Sequence, residues 1–527
     1  MSNSNRQIKI GAILSYLSIA ISIVAGLVYT PWMITKIGKS HYGLYTLANS
    51  IITMFMVDFG LSAATTRYLS KYNAEGNKEK AERFLGAVYK LYLIIDSIIF
   101  CVLAIYFFFI DKIYIGMTAT ELEEFKVVYI ISALFSVLHF PFVTFNGILT
   151  SYEKFIALKL ADVLYRIFNV GFTVVALLLG MGLYALVSVH AIVGLLTILF
   201  KFIVIKKSVP VSVDFKNTEK GVYKEILSFS IWATVASLAQ RLVFNIMPTI
   251  LGIVATTASI AVFGIVTTIE GYSYTFATAI NGMFMPKVSR IIANKTADEE
   301  LTSLAISVGK FQFALNGLIV VGFALVGKSF IALWMGEAYS DAYLGILLVI
   351  APGLIINSLQ IANTTMTVLK KVKEQAVIMV IVGIVNVLLA FPLAKFFGVI
   401  GACFAICIAY VVRAIVSIIV YQRCLPISMG KFVKNCFLRM SISLLLTLCL
   451  GFGVNFLIQD GGWLILGLKI LIITTIYLLL VVFTGFNANE RKQVFNKFLK
   501  RKKSKSETIE QNVEEDVNTV NEQGEKQ

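Results

Sequence analysis

The stretch FLGAVYKLYLIIDSIIFCVLAIYFFFI, from Phe84 to Ile110, decides the fold. A helix needs about 20 mostly apolar residues to cross the hydrocarbon core of a bilayer. This run is long enough, and its only charged side chains are Lys90 and Asp96. The run therefore predicts a transmembrane helix.

The rest of the chain has the same character. Of its 527 residues, 58% are hydrophobic and 14% are charged, with a mean hydropathy of +0.83. Soluble domains have about half their residues apolar and about a quarter charged. No polar stretch before residue 486 is long enough to fold alone, so nearly the whole chain is predicted to lie in a membrane.

Further apolar runs on both sides predict an all-α polytopic membrane protein with about fourteen transmembrane helices. The predicted spans are Gly11 to Pro31, Tyr42 to Ala64, Phe84 to Ile110, Val127 to Leu149, Leu160 to Leu179, Leu183 to Phe200, Ile226 to Val254, Ala258 to Met285, Phe311 to Gly327, Ala342 to Val368, Ala376 to Ala394, Val399 to Tyr421, Ser441 to Ile458 and Trp463 to Thr484.

The orientation follows from Lys and Arg in alternate loops, because cytoplasmic loops carry the excess. With the N-terminus inside, the inner segments before the tail hold 26 such residues and the outer loops hold six. We therefore expect a multi-pass protein of the cell membrane with both termini in the cytoplasm. The net charge of +16 lies in these short clusters between spans, which argues against nucleic acid as a partner.

Two segments that start 217 residues apart, at Asn146 and at Asn363, indicate an internal repeat. Asn146, Thr150, Lys154, Asn169 and Val170 fall on Asn363, Thr367, Lys371, Asn386 and Val387. Chance matching between apolar helices is the alternative. A real repeat predicts two six-helix lobes in parallel pseudo-repeat plus two C-terminal helices. The expected limits are 1–203 for the first lobe, 204–225 for a cytoplasmic linker, 226–421 for the second lobe, 422–485 for two added helices and 486–527 for a cytoplasmic tail.

Two stretches carry a family resemblance. The segment ITKIGKSHYGLYTLANSIITMFMVDFGLSAATTRYLSKYNAEGN starts at Ile34, and FGIVTTIEGYSYTFATAINGMFMPKVSRIIA starts at Phe263. Both resemble the oligosaccharide flippases of the multidrug/oligosaccharidyl-lipid/polysaccharide exporter superfamily, over roughly residues 10 to 480. The resemblance implies movement of an undecaprenyl-diphosphate-linked oligosaccharide repeat unit from the inner to the outer leaflet. It also implies membrane lipids as partners, together with the polymerase and glycosyltransferases of the same pathway.

Two alternatives within the superfamily are weakened by departures from its patterns. Drug and cation antiporters often keep a carboxylate in the first span, and Gly11 to Pro31 contains none. Flippases of lipid II, the peptidoglycan precursor, carry arginines in their first spans, and here none precedes Arg67 after that first run begins. Related oligosaccharide flippases often carry an Asp where this chain has Asn245, which leaves a shared coupling carboxylate there unsupported.

Charges inside the membrane are costly, about 2.5 kcal/mol or more at its centre, and normally face protein or a wet cavity. Arg241 lies near the middle of the seventh span and Glu270 near the middle of the eighth. We expect these two side chains to be neighbours. They form either a structural ion pair or a cavity wall, where Arg241 binds a diphosphate and Glu270 holds the arginine when the site is empty.

Four further charges are candidates for the same cavity. Asp162 and Arg166 lie four residues apart on one helix face, so they either pair with each other or leave Arg166 as a second substrate cation. Asp96 and Asp58 could take up protons as the cavity opens. Together with Glu270 and Asp162, these carboxylates are the predicted coupling or charge-compensating groups.

Other polar residues in the spans have plainer interpretations. Lys90, Arg413 and Lys469 lie near span ends and are predicted to reach lipid headgroups. His139 is interpreted as a packing residue that could alternatively relay protons.

The sequence argues against two hypotheses in which the protein is an enzyme. Gly322 to Ser329 read GFALVGKS, a formal match to the phosphate-binding loop pattern, but they lie at the end of a predicted membrane helix instead of between a strand and a helix. A polysaccharide polymerase would need a folded external loop, and the longest, Asp111 to Lys126, is small although it carries Glu121, Glu123 and Glu124. We therefore expect a transporter that is not an enzyme, without nucleotide, cofactor or metal.

The tail from Arg491 to Lys505 reads RKQVFNKFLKRKKSK, with apolar residues on one helical face and basic residues on the rest. This pattern is typical of an interfacial helix on anionic lipid. After Ser506 the composition is polar and acidic, which predicts disorder.

Overall fold

The computed structural model describes residues 2–216, 222–278, 284–293, 297–487 and 491. Over that part of the chain every regular element is helical. The α-helices are α1 (Ser2–Ile37), α2 (Lys39–Phe55), α3 (Leu61–Ala74), α4 (Lys78–Ile113), α5 (Ala119–His139), α6 (Thr144–Ser151), α7 (Phe155–Leu178), α8 (Gly182–Ser208), α9 (Val222–Phe244), α10 (Met247–Val254), α11 (Thr257–Thr278), α12 (Met285–Ala293), α13 (Ala297–Met335), α14 (Asp341–Ile350), α15 (Gly353–Ser358), α16 (Gln360–Val368), α17 (Val372–Cys424), α18 (Met429–Phe432), α19 (Arg439–Leu457) and α20 (Gly462–Leu480). Short 3₁₀ turns lie at Phe140–Val143 and Glu337–Tyr339, and π-helical turns lie at Val433–Leu438 and Val481–Gly485.

The chain crosses the membrane many times. Within the described residues, 11 helical segments are long and apolar enough to do so. The longest, α17, is two helices, because Gly398 at φ 56° and ψ −133° interrupts it near its middle. If the two halves of α17 are counted separately and α2–α3 and α11 are each added as a span, the 11 segments become fourteen. The number of about fourteen stays a prediction.

The outer surface of the bundle is apolar. Phe108, Phe396 and Leu464 expose 76%, 78% and 90% of their surface. In water a continuous surface of this kind would drive association, whereas lipid chains solvate it. The helices satisfy their own backbone groups, which is the condition for standing in hydrocarbon. The protein is therefore a multi-pass membrane protein.

The helices form two groups that meet along one seam. Helices α1–α8 pack mainly on one another, α9–α17 form the second group, and α19 and α20 pack on each other and on α13. The seam runs between α2 and α11, where a Cβ added to Gly43 would lie 2.2 Å from the Thr257 carbonyl oxygen. The domain limits expected from the sequence stay a prediction.

The two copies of the proposed repeat adopt the same backbone turn. Glu153 and Lys370 have φ of 55° and 59°, a region that residues other than glycine seldom occupy. The next amides, of Lys154 and Lys371, each donate a 2.8 Å hydrogen bond to the carbonyl oxygen five residues earlier. These turns join α6 to α7 and α16 to α17. Matching strain at matching positions supports the repeat over chance similarity.

Several predicted spans are interrupted, and two of them show the cause. The second, Tyr42 to Ala64, divides into α2 and α3 because Phe59 and Gly60 take positive φ values of 51° and 69°. The seventh, Ile226 to Val254, divides into α9 and α10 just before Pro248, which lacks the amide that a continuous helix needs. Hydropathy shows where an apolar run lies and not where the backbone turns within it.

The ninth span is longer than predicted. It was expected from Phe311 to Gly327, and α13 runs well beyond both ends. The segment Gly322 to Ser329, with its formal nucleotide-binding pattern, lies inside this continuous helix. The strand–loop–helix context that would make the pattern functional is therefore replaced by a single helix.

The predicted interfacial helix and polar tail lie outside the described residues, apart from Arg491.

Candidate functional site

A cavity of about 670 Å³ is lined by α1, α2, α7, α8 and α11. Because α11 belongs to the second helix group and the other four to the first, the cavity lies between the groups. Its charged lining residues are Lys159, Asp162 and Arg166, accompanied by hydroxyl and amide side chains. Two of the six predicted site residues therefore meet here.

Arg166 reaches away from its own helix. Its Nη1 donates a hydrogen bond to Ser22 Oγ on α1. Asp162, one turn earlier, lies 3.4 Å from Lys159 Nζ and 3.7 Å from Lys201 Nζ. Of the two alternatives for Asp162 and Arg166, the structure does not form the mutual pair, because the carboxylate lies beside two lysines instead. Among the described residues, no carboxylate forms an ion pair with the Arg166 guanidinium on the cavity wall.

Lys201 supports this arrangement from the neighbouring helix. Lys201 was one of the 26 basic residues assigned to the inner segments. In the structure it lies in α8, and its side chain is 14% exposed. Its ammonium group donates a 3.0 Å hydrogen bond to Asn146 Oδ1. The chain Asn146–Lys201–Asp162 thus links α6, α8 and α7 behind the cavity wall.

His190, which was not among the predicted site residues, also lines the cavity. His190 Nδ1 lies 2.8 Å from the Tyr165 hydroxyl, and both residues belong to the cavity wall. His139, for which a proton relay was an alternative, lies beside Phe135 with the two rings tilted and their centroids 5.6 Å apart. Both histidines interrupt apolar runs, so the sequence carries the same signal for each. Only the packing of α7 against α8 tells them apart.

Arg241 bonds to the backbone of the other helix group. Its Nη2 donates a 3.1 Å hydrogen bond to the Met56 carbonyl oxygen, at the break between α2 and α3. Its Nη1 is buried, with no hydrogen-bond partner in the described residues. No ion pair joins Arg241 to Glu270 in this part of the chain, so the predicted structural pair is wrong. The short loop joins α10 to α11, whereas Arg241 lies in α9, on the other side of the break before Pro248.

Glu270 is half-buried and lies on a different side of α11 from the cavity. Thr268 and Tyr272, four residues apart, both line the cavity and so define one face of α11. Glu270 lies between them in sequence and therefore points to another face, which it shares with Tyr274. The predicted site residues therefore do not share one site: Asp162 and Arg166 line the cavity, and Glu270 does not.

Asp58 and Asp96 lie near each other on the first helix group. Asp58 accepts hydrogen bonds from the Tyr92 hydroxyl and, at 3.2 Å, from the Ser62 amide, and so caps the start of α3. Tyr92 and Asp96 are four residues apart and share a face of α4. Asp96 is 9% exposed, and its Oδ1 has no hydrogen-bond partner within the described ranges.

Two residues predicted to reach lipid headgroups do something else. The Lys469 side chain is 3% exposed, and its Nζ lies 2.5 Å from Asp460 Oδ1. Arg413 lies over the Tyr410 ring, 5.5 Å from its centroid, and lines a second cavity. The prediction of headgroup anchors is wrong for both, because neighbouring helices supply partners that a single helix cannot reveal.

The two helix groups are joined at the end predicted to be extracellular. Glu121 Oε1 accepts hydrogen bonds from Ser40 at 2.7 Å and from Thr257, across the seam, at 2.6 Å. Lys39 Nζ donates a 2.6 Å hydrogen bond to the Ala338 carbonyl oxygen of the second group. These hydrogen bonds connect the two helix groups at that end.

The cavity chemistry suits a polar anion. A guanidinium beside hydroxyl groups can bind phosphate oxygens by charge-assisted hydrogen bonds. In the described residues no group of three or more His, Cys, Asp or Glu side chains is placed to hold a metal ion.

Solved structures of membrane proteins share this arrangement of two helix groups around a cavity. A lipid II flippase MurJ in an inward closed conformation is 16% identical, covering 89% of this chain and 97% of its own, with a TM-score of 0.72. An inward-facing multidrug resistance MATE family transporter of the MOP superfamily is 15% identical, covering 80% and 99%, with a TM-score of 0.61. At these identities the likeness concerns the fold, and it confirms the fold that the sequence resemblance implied.

The comparison of sequences is more specific. A curated relative from Bacillus subtilis (strain 168), the "Uncharacterized membrane protein EpsK", is 21% identical over 510 residues, which are 92% of this chain and 96% of that protein. Residues 9–292 match the family described as "Polysaccharide biosynthesis protein". The chain belongs to the polysaccharide biosynthesis protein family.

Proposed function

We propose that this protein is a flippase that moves an undecaprenyl-diphosphate-linked oligosaccharide repeat unit from the inner to the outer leaflet by alternating access. The observation that carries the proposal is Arg166, a guanidinium in a cavity between two helix groups that has no ion-pair partner in the part of the chain that the structure describes. Family membership connects the protein to polysaccharide biosynthesis. The fold is that of transporters.

The diphosphate must leave water to cross the membrane, and that step is costly unless charged partners receive it. Arg166 offers several N–H donors in a planar fork, and Ser22 and Lys159 lie on the same wall. Hydrogen bonds to charged groups contribute about 1.5–3 kcal/mol each. Asp162 is held by Lys159 and Lys201, so it does not compete with the diphosphate for Arg166.

Alternating access requires contacts that break when the opposite side opens. The hydrogen bonds of Glu121 and Lys39 between the helix groups are the contacts that we assign to closing the predicted outer end. Arg241, bonded to the Met56 carbonyl oxygen across the two groups, is a second contact of this kind and can accept the diphosphate as it moves. Glu270, Asp96 and Asp58 are the groups that we assign to coupling or charge compensation.

The proposal places both termini in the cytoplasm and assigns no catalytic role to the chain. Its partners are the lipid-linked cargo, membrane lipids, and the polymerase and glycosyltransferases that act on the same cargo. A cationic cargo, as in the antiporter alternative, fits this cavity poorly, because Lys159 and Arg166 outnumber Asp162 among its charged lining residues.

The test is export in cells that lack the chromosomal copy. Wild-type protein should restore surface polysaccharide and clear the lipid-linked oligosaccharide from the inner leaflet. Arg166→Ala should lower export about tenfold or more at normal membrane abundance, given the size of a charged hydrogen bond. Arg166→Lys should retain part of it, since it keeps the charge. Normal export by Arg166→Ala, or cationic-dye efflux by the wild type without export, would contradict the proposal.

A further inference from the structure

A second cavity of about 410 Å³ lies within the second helix group, lined by α9, α11, α12, α15, α16 and both halves of α17. Its wall is rich in uncharged polar side chains, namely Asn357, Gln360, Asn363, Thr364, Gln375 and Tyr421. Arg413 is the one charged side chain among the described residues that line it. The proposed function above makes no use of this cavity.

The Arg413 guanidinium is held against an aromatic ring at the cavity wall. Its guanidinium lies over the Tyr410 ring, 5.5 Å from the centroid, a contact that orients the group. Among the described residues it forms no ion pair, and no carboxylate lines the cavity around it. The side chains that line the cavity therefore carry one positive charge, and Glu270, which shares the α11 face of the lining residue Tyr274, is the acidic residue to one side of it.

The amide side chains are held by neighbours while keeping other hydrogen-bonding groups. Asn363 Oδ1 accepts from the Tyr421 hydroxyl, and Gln375 Nε2 donates to the Asn363 carbonyl oxygen at 3.1 Å. Asn357 Nδ2 donates to Asn316 Oδ1 at 3.0 Å. Each amide has two donors and an oxygen acceptor, so one contact leaves further capacity. Sugar hydroxyl groups both donate and accept, and they match such a wall.

The cavity is also placed where cargo would enter. Asn363 and Tyr421 lie close in sequence to basic residues of the predicted cytoplasmic end. The helix α11 lines both cavities, through Thr268 and Tyr272 on one side and Tyr274 and Thr278 on the other. One elongated headgroup could therefore contact both.

We propose that this second cavity binds the oligosaccharide part of the cargo, with Arg413 receiving an anionic substituent of a sugar. The inference rests on the proposed function and deepens it. The same chemistry, an anion among hydroxyl groups, could come from the diphosphate instead. Probes with and without the sugar separate these sources.

The experiment uses the full-length protein in lipid nanodiscs. The probes are undecaprenyl diphosphate alone and the lipid-linked oligosaccharide extracted from cells that lack the protein. Arg413→Gln tests the cavity. Arg423→Gln is the matched control, because Arg423 lies on the same helix, is exposed and does not line the cavity. Arg166→Gln tests the first cavity in parallel.

Arg413→Gln should weaken binding of the oligosaccharide-bearing lipid about tenfold or more, the value of a charge-assisted hydrogen bond, and leave the bare lipid within about twofold. Arg423→Gln should change neither. Equal losses for both lipids would assign the cavity to the diphosphate and overturn the inference, as would unchanged binding. If Arg166→Gln weakens both lipids while Arg413→Gln weakens neither, only this inference fails. If the wild type binds neither lipid, the proposed function fails with it.

Discussion

Arg241 donates a hydrogen bond across the two helix groups to the Met56 carbonyl oxygen, and Glu270 lies on another face of α11. Because the two side chains do not pair, removing one should not strand the other. The roles of the two residues can therefore be separated by experiment.

We expect Arg241→Ala to lower export severalfold, since it removes a contact between the helix groups and a cation on the cargo path. Arg241→Lys should retain part of the activity, because it keeps the charge but loses the planar fork. The effects of Arg241→Ala and Glu270→Gln should add in the double variant, as independent sites do. Export measured against membrane abundance gives the answer. Rescue of Arg241→Ala by Glu270→Gln would show that the residues are paired.

Lys469 offers a second test at this scale. Its buried ammonium group contacts Asp460, whose carboxylate is largely exposed. We expect Asp460→Asn to lower the melting temperature more than Lys469→Met, because removing the partner of a buried charge costs more than removing the charge itself. Thermal unfolding in one detergent, read by tryptophan fluorescence, checks the order. The reverse order would show that Lys469 is solvated without Asp460.

The same pair predicts a pH dependence. Hydrogen bonds from Lys469 and then Ser329 hold the pKa of Asp460 below its usual range. A carboxyl whose folded pKa is depressed adds stability above its unfolded pKa, about 3.9, and loses it as the pH falls through the folded pKa. The difference between wild type and Asp460→Asn should therefore be full at pH 7 and shrink below about pH 4. A constant difference down to the lowest pH would contradict this.

The sequence could identify charged residues worth examining but not their partners. Asp162 and Arg166 share a helix face, and that fact alone suggested a pair. The structure shows that residues from other helices, Lys201 and Ser22, decide the outcome. The same limit explains why His190 was missed and why Arg413 was interpreted as a lipid anchor. Partners that are distant in sequence cannot be read from one helix.

At the scale of elements, hydropathy was a good guide to helices and a poor one to their breaks. The apolar run around Asp96 forms one continuous helix, α4, as predicted. The breaks at Phe59–Gly60 and before Pro248 depend on local backbone conformation. The repeat was visible because its turn keeps a basic residue at Lys154 and Lys371.

Gly398 is the test at this scale. Its φ of 56° and ψ of −133° lie in a region that is nearly exclusive to glycine, and it separates the two halves of α17. Gly398→Ala should lower the melting temperature by several degrees, corresponding to about 1–3 kcal/mol of backbone strain. Gly467→Ala is the control, because Gly467 is helical and nothing surrounds its missing Cβ. Equal melting temperatures for the two variants would show that the turn tolerates a side chain.

At the scale of the whole molecule, the orientation in the membrane rests on the distribution of basic residues. In a variant without its native cysteines, a cysteine at Ser340 should react with an impermeant maleimide from outside intact cells. One at Ser428 should react only after permeabilisation, because it lies among the basic residues of a predicted inner segment. Labelling of Ser428 in intact cells would invert the topology and the proposed direction of transport.

The central claim is that the protein carries a lipid-linked oligosaccharide across the bilayer, and reconstituted liposomes test it most directly. The measured quantity is the fraction of labelled lipid-linked oligosaccharide that an impermeant glycosidase can cleave from outside. Wild-type protein should raise it from about half, the outer leaflet alone, towards all of the lipid. A variant with Ser40→Cys and Thr257→Cys, whose native side-chain oxygens lie 3.3 Å apart across the seam, should do so only under reducing conditions. A fraction that stays at the protein-free value with active, correctly inserted wild type would contradict the account.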